Sequence, residues 1–273
     1  MKTGVTPVKN AVLRIPVPTD WPEQKVEIVS QELPEGSKMT WEEVGNVKML
    51  QLELKQFPAN QKTTGQMTFQ VSTKQIIAPK DTSSLHIPEK RTKEIRDYLA
   101  ASPGISSRDS KLRKIAKSLF EVEQSDWVKI GSLLDWVRDN VEERTVEFSG
   151  AVNTFRNKFG SSEDRTALFV ALCRANKVPA RMVYCNQGHY AEFYLLDDKE
   201  VGHWFPCRVS GFREFGHLDE PTLIIQKGDN YRVPWQRERL RFIPGTGETQ
   251  VLKSAKATTI ERPAMAFVSG VAK

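Results

Sequence analysis

Apolar and polar residues alternate with a period of two along much of the first third of the chain. Val12, Arg14-Ile15, Lys25-Val26-Glu27-Ile28-Val29, Leu50-Gln51-Leu52-Glu53-Leu54 and Met67-Thr68-Phe69-Gln70-Val71 carry the pattern. Successive side chains of a strand point to opposite faces, so this period predicts strands with one buried face. Turn-forming stretches separate them: Pro18-Thr19-Asp20, Pro34-Glu35-Gly36-Ser37, Val44-Gly45-Asn46 and Pro58-Ala59-Asn60. Residues 8–80 therefore read as a small antiparallel β-sandwich, immunoglobulin-like in general shape. It holds no candidate chemistry, since no cysteine or histidine precedes His86.

After a linker-like stretch rich in Pro, Ser, Thr and Asp (Ala78 to Pro88), the spacing becomes helical. Helices are expected over Glu89–Ala101, over Ser110–Phe120 with Leu112, Ile115, Ala116 and Leu119 on one face, and over Asp126–Val141. Trp127, Ile130, Leu133, Leu134, Trp136 and Val137 form the stripe of the last, which reads as core. A further helix is opened by Gly160-Ser161-Ser162-Glu163-Asp164, runs on to Ala175 and is stopped by Pro179. Ser161 can cap it with Asp164, and Glu163 and Asp164 suit its positive dipole end. Strands follow at Ala180–Cys185, His189–Leu196 and near His203–Arg208, the last two joined by the turn Asp197-Asp198-Lys199-Glu200. The sum is an α+β chain: a β-sandwich over 8–80, a helix-and-sheet domain over 81–245, and a Thr-, Ser-, Lys- and Ala-rich tail over 246–273, expected to be loosely attached.

Composition narrows the picture only slightly. The 273 residues are 39% hydrophobic and 27% charged, enough apolar surface for a real core. No apolar run nears the ~20 residues that cross a bilayer, so no transmembrane segment is expected. The net charge of +6 comes from 40 basic residues dispersed among 34 acidic ones, as in Arg237-Glu238-Arg239. Such interspersion describes a solvated surface, not a nucleic-acid interface. Met1-Lys2-Thr3-Gly4-Val5-Thr6-Pro7 has no apolar h-region and does not read as a signal peptide, which leaves cytoplasmic and exported locations both open.

The stretch from Gly160 to Arg208 concentrates the candidate chemistry. The unpaired N–H groups and positive dipole end of a helix stabilise a thiolate or an oxyanion. A histidine on an adjoining strand can take the nucleophile's proton, and a third group can hold the imidazole in the right tautomer. The chain offers this order.

The stretch Gly160-Ser161-Ser162-Glu163-Asp164-Arg165-Thr166-Ala167-Leu168-Phe169-Val170-Ala171-Leu172-Cys173-Arg174-Ala175 resembles the helix of the transglutaminase-like superfamily, which is papain-related. There a cysteine follows the glycine by two positions, and a Leu-Cys-Arg-Ala-like segment closes the helix. Val178-Pro179-Ala180-Arg181 looks like the family's Ile-Pro-Ala-Arg strand entry, Gly188-His189-Tyr190-Ala191-Glu192-Phe193-Tyr194-Leu195 like the segment carrying the catalytic histidine, and His203-Trp204-Phe205-Pro206-Cys207-Arg208 like the Trp-x-Pro-x-Asp segment. Asp135-Trp136-Val137-Arg138-Asp139-Asn140-Val141 is similar to the family's upstream helix. The resemblance covers residues 126–208. It implies acyl transfer or amide hydrolysis on protein or peptide substrates through a covalent thioester, with no cofactor.

Two positions depart from the family. Ser162 stands where the nucleophilic cysteine is expected, and Arg208 where the aspartate is; only His189 matches. Serine needs a strong, oriented base that a helix dipole cannot replace. Arg208 has donors and no acceptor, and its charge disfavours an imidazolium. Glu192, Asp197, Asp198, Asp219 or Asp229 could supply an orienting carboxylate, although the odd spacing of Glu192 from His189 suggests surface exposure. Three explanations of Ser162 stay open: an engineered Cys→Ser change, a natural loss of activity, or a serine hydrolase. A non-catalytic peptide- or glycan-binding role for the same cleft is the alternative function.

The cysteines add little. Cys173 reads as a core thiol, while Cys185 and Cys207 could bridge neighbouring strands. Cys185-x3-His189 and His203-x3-Cys207 have zinc-like spacings, but residues four apart on extended chain lie ~13 Å apart at ~3.3 Å per residue, too far to share one ion. No Asp-rich loop suggests calcium. The aromatic, glycine and charged stretch from Arg213 to Trp235 is a candidate cleft wall.

Overall fold

The computed structural model describes residues 8–58, 62–121 and 124–251. The chain forms two compact units: residues up to Ser72 together with those from Ile243 on, and Thr73–Phe242. In chain order the strands are β1 (Val8–Pro16), β2 (Gln24–Glu32), β3 (Ser37–Val44), β4 (Val47–Phe57), β5 (Gln66–Thr73), β6 (Glu142–Glu143), β7 (Phe159–Gly160), β8 (Ala180–Cys185), β9 (Gly188–Leu196), β10 (Gly202–Arg208), β11 (Glu214–Phe215), β12 (Ile224–Lys227) and β13 (Thr246–Val251). The α-helices are α1 (Lys93–Arg96), α2 (Ser110–Phe120), α3 (Asp126–Asn140), α4 (Ala151–Asn157) and α5 (Ser162–Ala175).

The first unit holds a four-stranded sheet, ordered β13-β1-β4-β3, and a two-stranded β2-β5 sheet. In β4, Leu50, Leu52 and Leu54 are buried while Gln51 and Glu53 alternate with them. Leu52 lies opposite Leu13 and Met39, and Gln51 opposite Arg14 and Thr40, so the alternation carries one buried face across three strands. Gly45 makes the β3–β4 turn at φ 64°, a backbone region where only glycine is unstrained. The structure corrects one expectation here: Thr246–Val251 is not loose tail but strand β13, antiparallel to β1. Its polar sequence lacks an apolar alternation, and its pairing is made by backbone groups that sequence pattern does not register. The remainder of the expected tail, from residue 252 on, lies outside the described residues.

The second unit is built around α5. Its residues Asp164 to Arg174 are buried throughout, so the helix is enclosed on every side. On one side of it lies a five-stranded antiparallel sheet, ordered β11-β10-β9-β8-β12. Ala180, Met182 and Tyr184 of β8, Ala191, Phe193 and Leu195 of β9, and Phe205 and Cys207 of β10 join a single core with α5 and the stripe of α3. These residues alternate along their strands, so they define the face of the sheet turned to α5. The helix expected over Glu89–Ala101 shrinks to α1 plus a 3-10 turn, and Ile95 is the one residue of α1 with a buried side chain. Tyr98 of the 3-10 turn packs on the Trp204 ring, with centroids 5.1 Å apart.

Candidate active site

Ser162 is the first residue of α5. Ser161 caps the helix: its hydroxyl accepts from the Asp164 N–H at 3.1 Å, while the Asp164 carboxylate accepts from the Ser161 N–H at 3.0 Å. The same buried carboxylate accepts from the backbone N–H of Ser149 at 2.8 Å and of Gly150 at 2.7 Å. One side chain thus fastens the helix start to the preceding loop. Gly150, at φ 86°, also packs closely on Gly104, whose backbone a Cβ there would meet at 3.1 Å. Ser162 is half-buried, and no described residue is hydrogen-bonded to its hydroxyl.

His189 lies on β9 directly across from Tyr184 of β8. Strand alternation puts it on the face it shares with Ala191 and Phe193, the face turned to α5. Ser162 and His189 are therefore on the same side of the sheet. The imidazole makes no hydrogen bond to any described residue, and its Nε2 is enclosed by protein without a partner. Nothing described orients its tautomer.

Arg208 is placed differently. Cys207 is the register partner of Ala191 and shares the α5 side, so Arg208 falls on the opposite face. There it forms an ion pair with Glu214, whose other oxygen accepts from the Asp219 N–H at 2.7 Å. None of the alternative carboxylates is bonded to His189. Asp197 accepts from His203 at 2.9 Å and from the Lys199 and Val201 N–H groups, Asp219 faces His217 at 3.5 Å, and Asp198 lies exposed in the turn between β9 and β10. Asp229 is fully buried and held bidentately by Arg174 at 2.8 and 2.7 Å.

Glu192 corrects a second expectation. It does face away from His189, yet it is buried, not exposed, between Arg181 at 2.6 Å and Lys227 at 2.7 Å. The Arg181 guanidinium also lies over the Trp204 ring at 3.9 Å. Burial pushes the Glu192 carboxyl up, but its two cationic neighbours outweigh that and hold it below its ordinary value. Cys185 and Cys207, which could have bridged two strands, are both free and buried, on β8 and β10, with β9 between them. Burial pushes all three thiols up, so none is primed as a nucleophile.

The contacts at the start of α5 were not part of the sequence pattern. Glu163 follows Ser162 and accepts from the Tyr184 hydroxyl at 3.3 Å and from Arg241 Nε at 2.8 Å. Arg241 sits 4.0 Å over the Phe148 ring, and the Phe242 ring lies 4.9 Å from that of Tyr184. The position of Tyr184 on the α5 side was readable from strand alternation, but nothing in the sequence ties Arg241 to a residue 78 positions away.

Residues 113–209 match the family model of the transglutaminase-like superfamily. They form a transglutaminase-like domain. No curated protein matches the chain. Among solved structures, it is similar to a candidate cysteine protease from Cytophaga hutchinsonii, at 18% identity and a TM-score of 0.60, covering 93% of this chain and 90% of that one. A candidate protease from Parabacteroides distasonis matches at 14% identity and a TM-score of 0.30, covering 78% of this chain and 45% of that one. The first likeness extends the shared fold beyond the transglutaminase-like domain to nearly the whole chain.

Proposed function

We propose that this chain is a catalytically silent transglutaminase-like protein whose cleft binds a peptide segment without cleaving or cross-linking it. The observation that carries the reading is the state of His189. It faces the side of the sheet where α5 presents Ser162, but no described carboxylate or amide orients it, and the residue at the family's aspartate position is an arginine paired with Glu214 on the other face. A serine is a poor nucleophile unless a well-oriented base removes its proton in the transition state. The helix start still offers N–H groups, which would donate to a peptide carbonyl oxygen without any bond being broken.

The test pairs the chain with its Ser162→Cys variant, using a thiol-directed covalent probe, a casein–amine transamidation assay and a peptidase panel. The chain itself is expected to be inactive in all three and to bind peptide with Ser162 in contact. The cysteine variant is expected to react with the probe, and His189→Ala in that background to slow the reaction roughly tenfold, short of the about hundredfold at the low end for a well-positioned base. Turnover by the unaltered chain would overturn the proposal and establish a serine hydrolase.

A further inference from the structure

Arg241 belongs to the last segment of the second unit, Tyr231–Phe242, whose ends are tied together. The Tyr231 N–H donates to the Leu240 carbonyl at 2.8 Å, the Leu240 N–H returns the bond at 2.9 Å, and Arg239 donates to the Asn230 carbonyl at 3.1 Å. From this closed loop Arg241 and Phe242 reach the start of α5. The guanidinium meets Glu163 with both Nε and Nη2, at 2.8 and 3.4 Å, and rests on Phe148. Phe242 packs against Tyr184, which itself donates to Glu163. Glu163 adjoins Ser162 in sequence, and Tyr184 is the register partner of His189. The segment is therefore attached at the two residues that border the nucleophile position and the histidine.

The strength of the attachment decides what it can do. Arg241 is 39% exposed and Glu163 20%, so the ion pair is water-accessible and screened by salt. It contrasts with the enclosed Arg174–Asp229 pair, exposed 0% and 1%, which holds the fold and cannot open without unfolding it. We infer that Arg241 latches the Tyr231–Phe242 segment across the approach to Ser162, so that a bulky ligand reaches this position only when the Glu163 ion pair opens. The inference rests on the reading of Ser162 as the centre of the cleft, but not on whether that cleft turns over a substrate.

The test measures access and not catalysis. In the Ser162→Cys chain the three native cysteines are buried, so position 162 is the one expected to label. The rate of labelling by a bulky maleimide is divided by the rate for a small methanethiosulfonate, which cancels any change in thiol reactivity caused by the nearby charges. Arg241→Gln, Glu163→Gln and the double variant should each raise this ratio to a similar extent, roughly two- to five-fold, the range open to a partly exposed ion pair. Salt should raise it in the parent and have little effect in the double variant. A ratio unchanged by all three substitutions and by salt would overturn the latch, even if the peptide-binding proposal stood. If a substitution unfolds the domain, seen as labelling of the native cysteines, the salt dependence of the parent alone decides: no rise with salt rejects the latch. Catalytic turnover by the unaltered chain would reject the proposed function and leave these ratios to be judged on their own.

Discussion

Glu192 holds a full negative charge away from water, and Arg181 and Lys227 make that tolerable. Its carboxyl is depressed below its ordinary value of 4.5, because the two cations outweigh the cost of burial. A group whose pKa falls on folding contributes stability above its unfolded pKa and loses it as pH drops through the folded value. The stability of the second unit should therefore be flat in pH near neutrality with respect to this residue and decline below about pH 4.5. Glu192→Gln strands two buried cations, so urea unfolding at pH 7 should show a loss of roughly 3–5 kcal/mol. The same variant should lose less than the parent between pH 5 and pH 3. An identical acid limb in both would mean that Glu192 carries none of the dependence. Sequence pattern reads the facing of this side chain correctly but not its burial, because Lys227 arrives from β12, 35 residues further on.

At the scale of elements, α5 is the piece the rest depends on, and its start is the part most exposed to test. Ser161→Ala removes one cap hydrogen bond and should cost about 1 kcal/mol. Asp164→Ala removes the acceptor of the Ser149, Gly150 and Ser161 N–H groups together, and stranding buried donors costs more, roughly 3 kcal/mol or above. Chemical denaturation of both variants checks the order; equal losses would show that the 149–150 loop gains nothing from Asp164. This helix was legible because its signals are local: a Ser-Ser-Glu-Asp opening, an apolar run and Pro179 beyond its end. Ala180–Cys185 was legible for the same reason. What stayed hidden is non-local. The helix expected from Glu89 gives way to the short α1 and a 3-10 turn, and the polar strand β13 exists through its pairing with β1. In the site, the positions of Ser162 and His189 follow from motif order. The facing of Arg208 and the reach of Arg241 depend on register and tertiary contact.

On the scale of the whole molecule, the two units differ in how the chain supplies them. The second is continuous, and every member of its large core, from Leu85 to Phe215, together with the partly buried residues packed on it up to Phe242, lies between Thr73 and Phe242. The first is discontinuous: its sheet needs β13, which the chain reaches only after completing the second unit. A fragment of residues 73–242 should then fold alone, with cooperative unfolding and dispersed amide resonances, since it carries its whole core and cuts no strand ladder of the five-stranded sheet. A fragment of residues 1–72 should not match it. It leaves β1 as an unpaired edge on the β13 side, a template for association with other chains. Restoring residues 243–251 to that fragment through a short Gly/Ser linker should recover monomeric, cooperative folding, because the missing ladder is then closed within one chain. If residues 1–72 fold as well without β13 as with it, the strand is an accessory to the sheet. If residues 73–242 fail to fold, the core assigned to the second unit is insufficient, and the first unit contributes to its stability.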